Sequence, residues 1–231
     1  MILTGFLNLL SGKNNKKIKN FNKKVFSEIL FLFLLFTIIN QTYIFLLHHF
    51  IALSPTKPTS YPRTNRFIIL IIILAPLIEE LICRLPLIYN RNNISISAGL
   101  FSGLIAASIF KIKLLSSFQG ILILFAFPAI LYILLDYYKD WIDPFLNKFW
   151  DKYFQLIFYL SATIFSLLHI NNYQINNTKD FILLPLLLSV YFLAGLELGY
   201  IRIKYGIIWS WLFHILHNFI TLILLHFLTN H

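Results

Sequence analysis

The sequence predicts an all-α integral membrane protein, a polytopic bundle of about seven transmembrane helices. Only 12% of its 231 residues are charged and 58% are hydrophobic, with a mean hydropathy of +0.76. A soluble domain carries about 25% charged residues. Several apolar runs exceed the roughly 18 residues that mark a membrane-spanning helix. The runs are continuous rather than alternating, which argues against a β-barrel.

From the N-terminus, residues 1–10 read as a short amphipathic segment lying along the membrane interface. Six lysines then crowd together (Lys13, Lys16, Lys17, Lys19, Lys23 and Lys24) ahead of an apolar stretch from Val25 to Phe50. That stretch is too long for a signal-peptide core and has no small-residue cleavage site, so it reads as a retained first helix. The expected spans are 26–50, 67–89, 94–110, 114–135, 154–170, 181–201 and 206–228. Spans three and four are close enough to form a tight hairpin. Breakers separate the others: a proline-rich stretch from Ser54-Pro55 to Pro62, a charged loop from Asp136 to Lys152 containing Pro144, and an asparagine-rich loop from Asn171 to Asp180. Gly99-x-x-x-Gly103 and Gly195-x-x-x-Gly199 read as sites of close helix packing.

The net charge of +10 is explained by basic loops that fix topology and touch anionic lipid, and not by nucleic-acid binding. With the N-terminus inside, the six N-terminal lysines join Arg91, Lys139, Lys148, Lys152, Arg202 and Lys204 on the inner side. Lys57, Arg63, Arg66, Lys111, Lys113 and Lys179 then lie outside. Twelve against six places the N-terminus in the cytoplasm. The single cysteine, Cys83, excludes an internal disulfide and reads as a small apolar side chain.

Function is to be sought where the sequence spends charge in hydrocarbon. The chain has four glutamates, and two of them, Glu79 and Glu80, are adjacent inside the second span, with Arg84 one turn on. A carboxylate at mid-membrane costs about 2.5 kcal/mol or more. Glu80 and Arg84 are i,i+4 with the glutamate first, the favourable orientation for a helical ion pair. Glu79 is turned about 100° away from Glu80. Arg84 therefore neutralises Glu80 and leaves Glu79 unpaired and desolvated, as a general base must be. Pro76 frees the carbonyl of Ile72 and kinks this helix. An ion pair that only fastens helices together is the alternative; it leaves Glu79 unexplained.

Two more spans each carry a histidine paired at i,i+4 on one helix face: Phe165 with His169 in the fifth, His214 with Asn218 in the seventh. Counted along the helices, Glu79 and His214 both lie about 12 Å from the inner surface, and His169 about 22 Å. Glu79, His169 and His214 would also suit a zinc ion as a His₂Glu set, without the HExxH spacing of zinc proteases. His217 reads as a packed or interfacial histidine. Glu197 is a further intramembrane carboxylate with no assigned role; pairing with a neighbouring helix and facing the same cavity are both open to it. His48, His49, His226 and His231 fall near span ends, at the interface.

Glu79-Glu80-x-x-x-Arg84, Phe165-x-x-x-His169 and His214-x-x-x-Asn218 occur in this order, followed and preceded by the expected spacing. The glycines at 195, 199 and 206 and the basic Arg202-Ile-Lys204 precede the last motif. The chain thereby resembles the CPBP (CAAX protease and bacteriocin-processing, Abi/Rce1-like) family of intramembrane glutamic endopeptidases, over residues 67–220. The resemblance divides the chain into a basic N-terminal segment with the first helix and loop (1–66) and a protease core (67–231).

What the resemblance implies is hydrolysis of a peptide bond in a membrane-associated protein or peptide. Glu79 would activate water with the help of His169, and His214 and Asn218 would stabilise the oxyanion. Glu80, Arg84 and Phe165 would support the site or touch substrate. It implies no metal or other cofactor, with zinc as the alternative. Two features depart from the family pattern: Cys83 and Leu85 stand where phenylalanine and glycine are frequent, and seven spans are expected against a common eight. A non-catalytic scaffold or a transporter with a proton relay is the rival class, since buried carboxylates and histidines also build relays. Asn218 discriminates, because an oxyanion hole needs an amide donor and a relay needs titratable groups. The partners expected are a peptide or protein substrate and the lipid bilayer. The sequence fixes no oligomeric state.

Overall fold

The structure is a computed structural model that describes residues 2–11, 23–51, 70–112, 117–173, 175 and 177–229. Described residues form helices and short connections, with no strand among them. The helices are α1 (Ile2–Leu10), α2 (Lys23–Ile51), α3 (Ala75–Cys83), α4 (Arg91–Ile109), α5 (Phe118–Tyr137), α6 (Lys139–Leu168), α7 (Thr178–Tyr205) and α8 (Ile207–Thr229). Five of them, α2, α4, α5, α6 and α7, are long and apolar enough to cross a membrane. The protein is an all-α, multi-pass membrane bundle, as its composition predicts.

The eighth helix comes from the N-terminus. Residues 2–10 form α1, whose Phe6 and Leu9 are buried against Leu32 and Phe36 of α2, Phe158 of α6 and Tyr200 of α7. The segment is amphipathic, as expected, and its apolar face closes the bundle. The centre belongs to α7, in which every residue from Gly195 to Lys204 is buried. Gly195 lies against the backbone of Ala162 and Gly199 against the ring of Phe158, so α6 and α7 approach closely at the glycines the sequence marked. Gly99 and Gly103 do the same for α4 against Pro128 and Ile123 of α5. By contrast, α5 buries only Gly120 and presents Phe118, Phe125, Ile130 and Ile133 outward, as a lipid-facing helix does.

Three expectations need correction. The second span is not one helix from 67 to 89. A π-helical turn (Leu70–Leu74) leads into α3, Pro76 occupies the first turn of α3, and a 3₁₀ turn (Leu85–Leu87) follows Arg84. Two prolines bracket the short helix, since each removes a donor and Pro86 disfavours helical backbone before it. The charged stretch 136–152 is not a loop. Asp136 and Tyr137 end α5, and residues 139–152 form the first half of α6, with Asp140 in the first turn and non-helical backbone at Tyr153 (φ −110°, ψ 19°) marking a kink. Polar residues and aromatics share this half-helix, with Trp141 and Phe145 exposed, which is interfacial patterning. Finally, Arg202 and Lys204 do not lie in an inner loop but are buried in the last turns of α7.

The expected loop 171–180 is present as a 3₁₀ turn (Ile170–Asn172) and an N-cap, where the Asn177 side chain accepts from the Asp180 amide. Lys13, Lys16, Lys17, Lys19, Lys57, Arg63, Arg66, Lys113 and the proline-rich stretch 54–62 lie outside the described residues, as do the side chains of His48, His49, His226 and His231.

The turn from α7 to α8 is a single residue. Gly206 has φ 108°, a backbone region that side chains disfavour, and its amide donates to the carbonyls of Ile201 and Arg202. So short a turn fixes where α8 begins relative to α7.

The α4–α5 contact yields a test. A Cβ at position 99 would overlap the backbone of Pro128, and neither backbone can move without separating the helices. Gly99→Ala is expected to destabilise the protein by about 1–3 kcal/mol, as overpacking does. Thermal unfolding in detergent measures this, and an unchanged midpoint would contradict the close packing.

Candidate functional site

The short helix α3 delivers Glu79 and Glu80 to two different surroundings, because consecutive helical residues point about 100° apart. Glu80 is fully buried. Its carboxylate accepts hydrogen bonds from the Ser210 hydroxyl and from His214 Nδ1 at 3.0 Å, both on α8. Arg84 Nε lies 3.6 Å from the same Glu80 oxygen. The expected i,i+4 ion pair is therefore present, but a histidine and a serine from another helix make the closer contacts.

Arg84 is itself fully buried, and its guanidinium lies 3.7 Å over the ring of Phe165. A desolvated guanidinium on an aromatic face gains about 2 kcal/mol. The same ring meets His169 and His214 edge-on, with centroids 4.8 and 5.4 Å away. Phe165 thus touches one residue from each of the three motifs, including its own.

Glu79 stands in the opening left by these groups and is 23% exposed. Its Oε2 lies 3.4 Å from His214 Nε2 and 3.9 Å from His169 Nε2, and has no hydrogen-bond partner. The histidine tautomers follow from their other contacts. His169 Nδ1 is 2.8 Å from the Phe165 carbonyl, which can only accept, so Nδ1 carries a proton and Nε2 faces Glu79. His214 Nδ1 donates to Glu80, which leaves Nε2 toward Glu79. Tyr191 of α7 stacks on the His169 ring, with centroids 4.1 Å apart, and accepts a hydrogen bond from Asn172.

The depth mismatch counted along the helices does not keep His169 from Glu79, since their side chains lie 3.9 Å apart. Its helix starts at 139, earlier than the expected 154, runs through a kink at Tyr153, and is capped by His169. Asn218 follows His214 by one turn of α8 and is partly buried on the same helix face. Glu79, Glu80, Arg84, Phe165, His169 and His214 are therefore brought into one cluster, with Asn218 one helical turn of α8 on from His214.

The broken helix exposes carbonyls that other helices satisfy. Ser97 donates to the carbonyl of Ile82, Ser161 to Cys83, Arg202 Nε to Arg84, Trp150 to Pro86 and Asn93 to Ile88. At the other end, Trp211 of α8 donates to the Ile73 carbonyl, 3.1 Å away. Of these donors, only Arg202 was singled out in the sequence, as an inner-side cation and as part of the basic Arg202-Ile-Lys204 before the last motif. Ser210 was missed, although it belongs to a legible pattern: Ser210, His214 and His217 fall at i, i+4 and i+7 on α8.

Among the described residues, no group of three His, Cys, Asp or Glu side chains is arranged to hold a metal ion. In comparison with known proteins, a family model for type II CAAX prenyl endopeptidase Rce1-like proteins matches residues 62–220. No curated protein and no solved structure matches the chain.

The burial of Glu80 yields a prediction. Glu80→Ala removes the acceptor of His214 and Ser210 and strands the Arg84 guanidinium in the core, at a cost of about 3–5 kcal/mol. Thermal unfolding of the purified variant should show a midpoint many degrees below that of Glu79→Ala. Equal midpoints would mean that Glu80 is not the structural member of the pair.

Proposed function

Since the chain belongs to the Rce1-like family of type II CAAX prenyl endopeptidases, we propose that it is an intramembrane glutamic endopeptidase in which Glu79 is the general base. One observation carries this reading. Of two adjacent glutamates, Glu80 is sealed in the core, while Glu79 is partly open and faces the Nε2 atoms of both His169 and His214.

A water seated between Glu79 and His169 would donate one proton to each. Attack of its oxygen on the substrate carbonyl transfers a proton to Glu79, which passes it to the departing amine. Negative charge develops on the carbonyl oxygen, and donors are needed where it forms. The Asn218 amide supplies one, and His214 supplies a second when Nε2 carries a proton. Phe165 and Arg84 hold the two histidines and α3 in register, and Tyr191 fixes the plane of His169.

The substrate in this reading is a peptide or protein that reaches the site from the membrane, and a prenylated C-terminus is one such case. The protease core spans 67–231, with residues 1–66 as an added basic segment and first helix, and the N-terminus faces the cytoplasm. A zinc mechanism is the alternative, with Glu79, His169 and His214 as the ligands and the Glu80 carboxylate orienting His214 as an outer partner does, although among the described residues these side chains are not arranged as a metal site. A non-catalytic scaffold or proton relay remains the alternative outside enzymology.

The decisive experiment is single-turnover cleavage of a fluorogenic reporter peptide in detergent. Glu79→Gln should abolish cleavage and leave the unfolding midpoint close to wild type, because Glu79 makes no bond that folding needs. Asn218→Ala should slow turnover by about 10²- to 10³-fold, the usual loss for one oxyanion donor. Active protein should contain far less than one zinc per chain. Full activity in folded Glu79→Gln would end the proposal, and stoichiometric zinc lost and regained together with activity would shift it to the metal mechanism.

A further inference from the structure

A second buried acid–histidine pair lies outside the three motifs. Glu197 of α7 is 1% exposed, and its Oε2 is 3.1 Å from His217 Nε2 of α8. One proton lies between these atoms. The other oxygen, Oε1, is buried and has no hydrogen-bond partner. The His217 ring packs against Phe33 of α2, with centroids 4.5 Å apart. The chain has four glutamates: Glu28 in α2, the adjacent pair Glu79 and Glu80 in α3, and Glu197 in α7.

Its position on the α7–α8 hairpin gives the pair a task. The two helices are joined by Gly206 alone. Near this turn, Ser210 binds the Leu198 carbonyl and Glu80. One turn on, His214 binds Glu80. His217 is the next step of the same stripe, and its partner is on α7. Two buried carboxylates therefore each hold one histidine of α8: Glu80 from α3 and Glu197 from α7. Asn218 directly follows His217, about 18 Å along the axis from Gly206. Any rotation of α8 at His217 carries Asn218 with it, and a rotation of about 10–20° is enough to spoil a preorganised site.

We infer that Glu197 and His217 are positioning residues: their bond fixes the rotation of the distal part of α8 and thereby aims Asn218 at the reacting carbonyl. This rests on the peptidase reading above and deepens it. Hydrocarbon packing alone leaves a helix free to rock, because Leu, Ile and Phe side chains exchange one apolar neighbour for another. A single directional bond in a dry interior has no competing water and restricts the rotation.

The test replaces both partners at once. Glu197→Leu/His217→Phe removes the bond without stranding either group, a change that is often neutral for stability. The double variant should unfold near the wild-type midpoint, bind reporter peptide with KM within about twofold, and cleave it at least about tenfold more slowly, because donors that act in the transition state affect kcat rather than binding. Glu197→Gln keeps an acceptor for His217 and should recover most of the rate. In an Asn218→Ala background the apolar pair should cause little further loss, since it acts through Asn218. The ring ¹⁵N spectrum of histidine-labelled protein should show a hydrogen-bonded His217 Nε2 that disappears in Glu197→Leu.

A folded apolar pair with wild-type kcat would overturn the inference. So would a Glu197→Gln variant as slow as the apolar pair, or a loss that multiplies with that of Asn218→Ala. Wild-type protein that cuts no reporter would count against the peptidase reading itself. Active wild type with an equally active apolar pair would count against the positioning role alone.

Discussion

The Glu80 carboxylate is the interaction on which the rest of this bundle depends. It joins α3 to α8 through Ser210 and His214 and approaches Arg84 within its own helix. Nothing in a bilayer interior would hydrate it, so each of these partners is needed. Arg84, drawn in by Glu80, then needs the face of Phe165, and Phe165 in turn limits where His169 and His214 can sit. A structural acid at position 80 is therefore what frees the neighbouring position for chemistry. The helical period does the rest, because it turns Glu79 away from the sealed side and toward the opening.

A second constraint comes from the backbone. A spanning helix that breaks in hydrocarbon must have its carbonyls satisfied by protein. The segment after Glu80 breaks at Arg84, between two prolines, and five carbonyls from Ile82 to Ile88 accept from side chains of α4, α6 and α7. These bonds fasten three helices around the end of α3. The break that brings the acidic pair to a short helix is thus also the device that assembles the bundle. It accounts for small hydroxyl residues, Ser97 and Ser161, at buried positions of otherwise apolar helices.

Much of this was legible before any coordinates. Apolar runs located the long helices, since their lengths and hydropathy leave little choice. The i,i+4 spacings placed Glu80 with Arg84 and Phe165 with His169 on shared faces, because that geometry is local. The half-helix 139–153 was missed because six charges and a proline imitate a loop, while its aromatics declare an interfacial helix only when the helical face is drawn. The burial of Arg202 and Lys204 was missed for a related reason. Near a span end a cation is normally a loop residue, and only the tertiary need of the Arg84 carbonyl shows that Arg202 is wanted inside. Glu197 and His217 are twenty residues apart and on different helices, so their pairing required the single-residue turn at Gly206 to be known.

That turn also explains why α8 can be the helix on which the site is set. A helix tethered by a long loop slides and rotates with its neighbours, whereas one that leaves Gly206 without a linker has its start fixed to the end of α7. From there the polar stripe Ser210, His214, His217 meets acceptors at successive turns, first on α3 and α7, then on α3, then on α7. Alternation between two helices fixes rotation better than the same bonds made to one, since a tilt that relieves one set strains the other. The orientation of His214 toward Glu79 is then a consequence of bonds that involve neither the Nε2 atom nor Glu79, which leaves both groups available to a substrate.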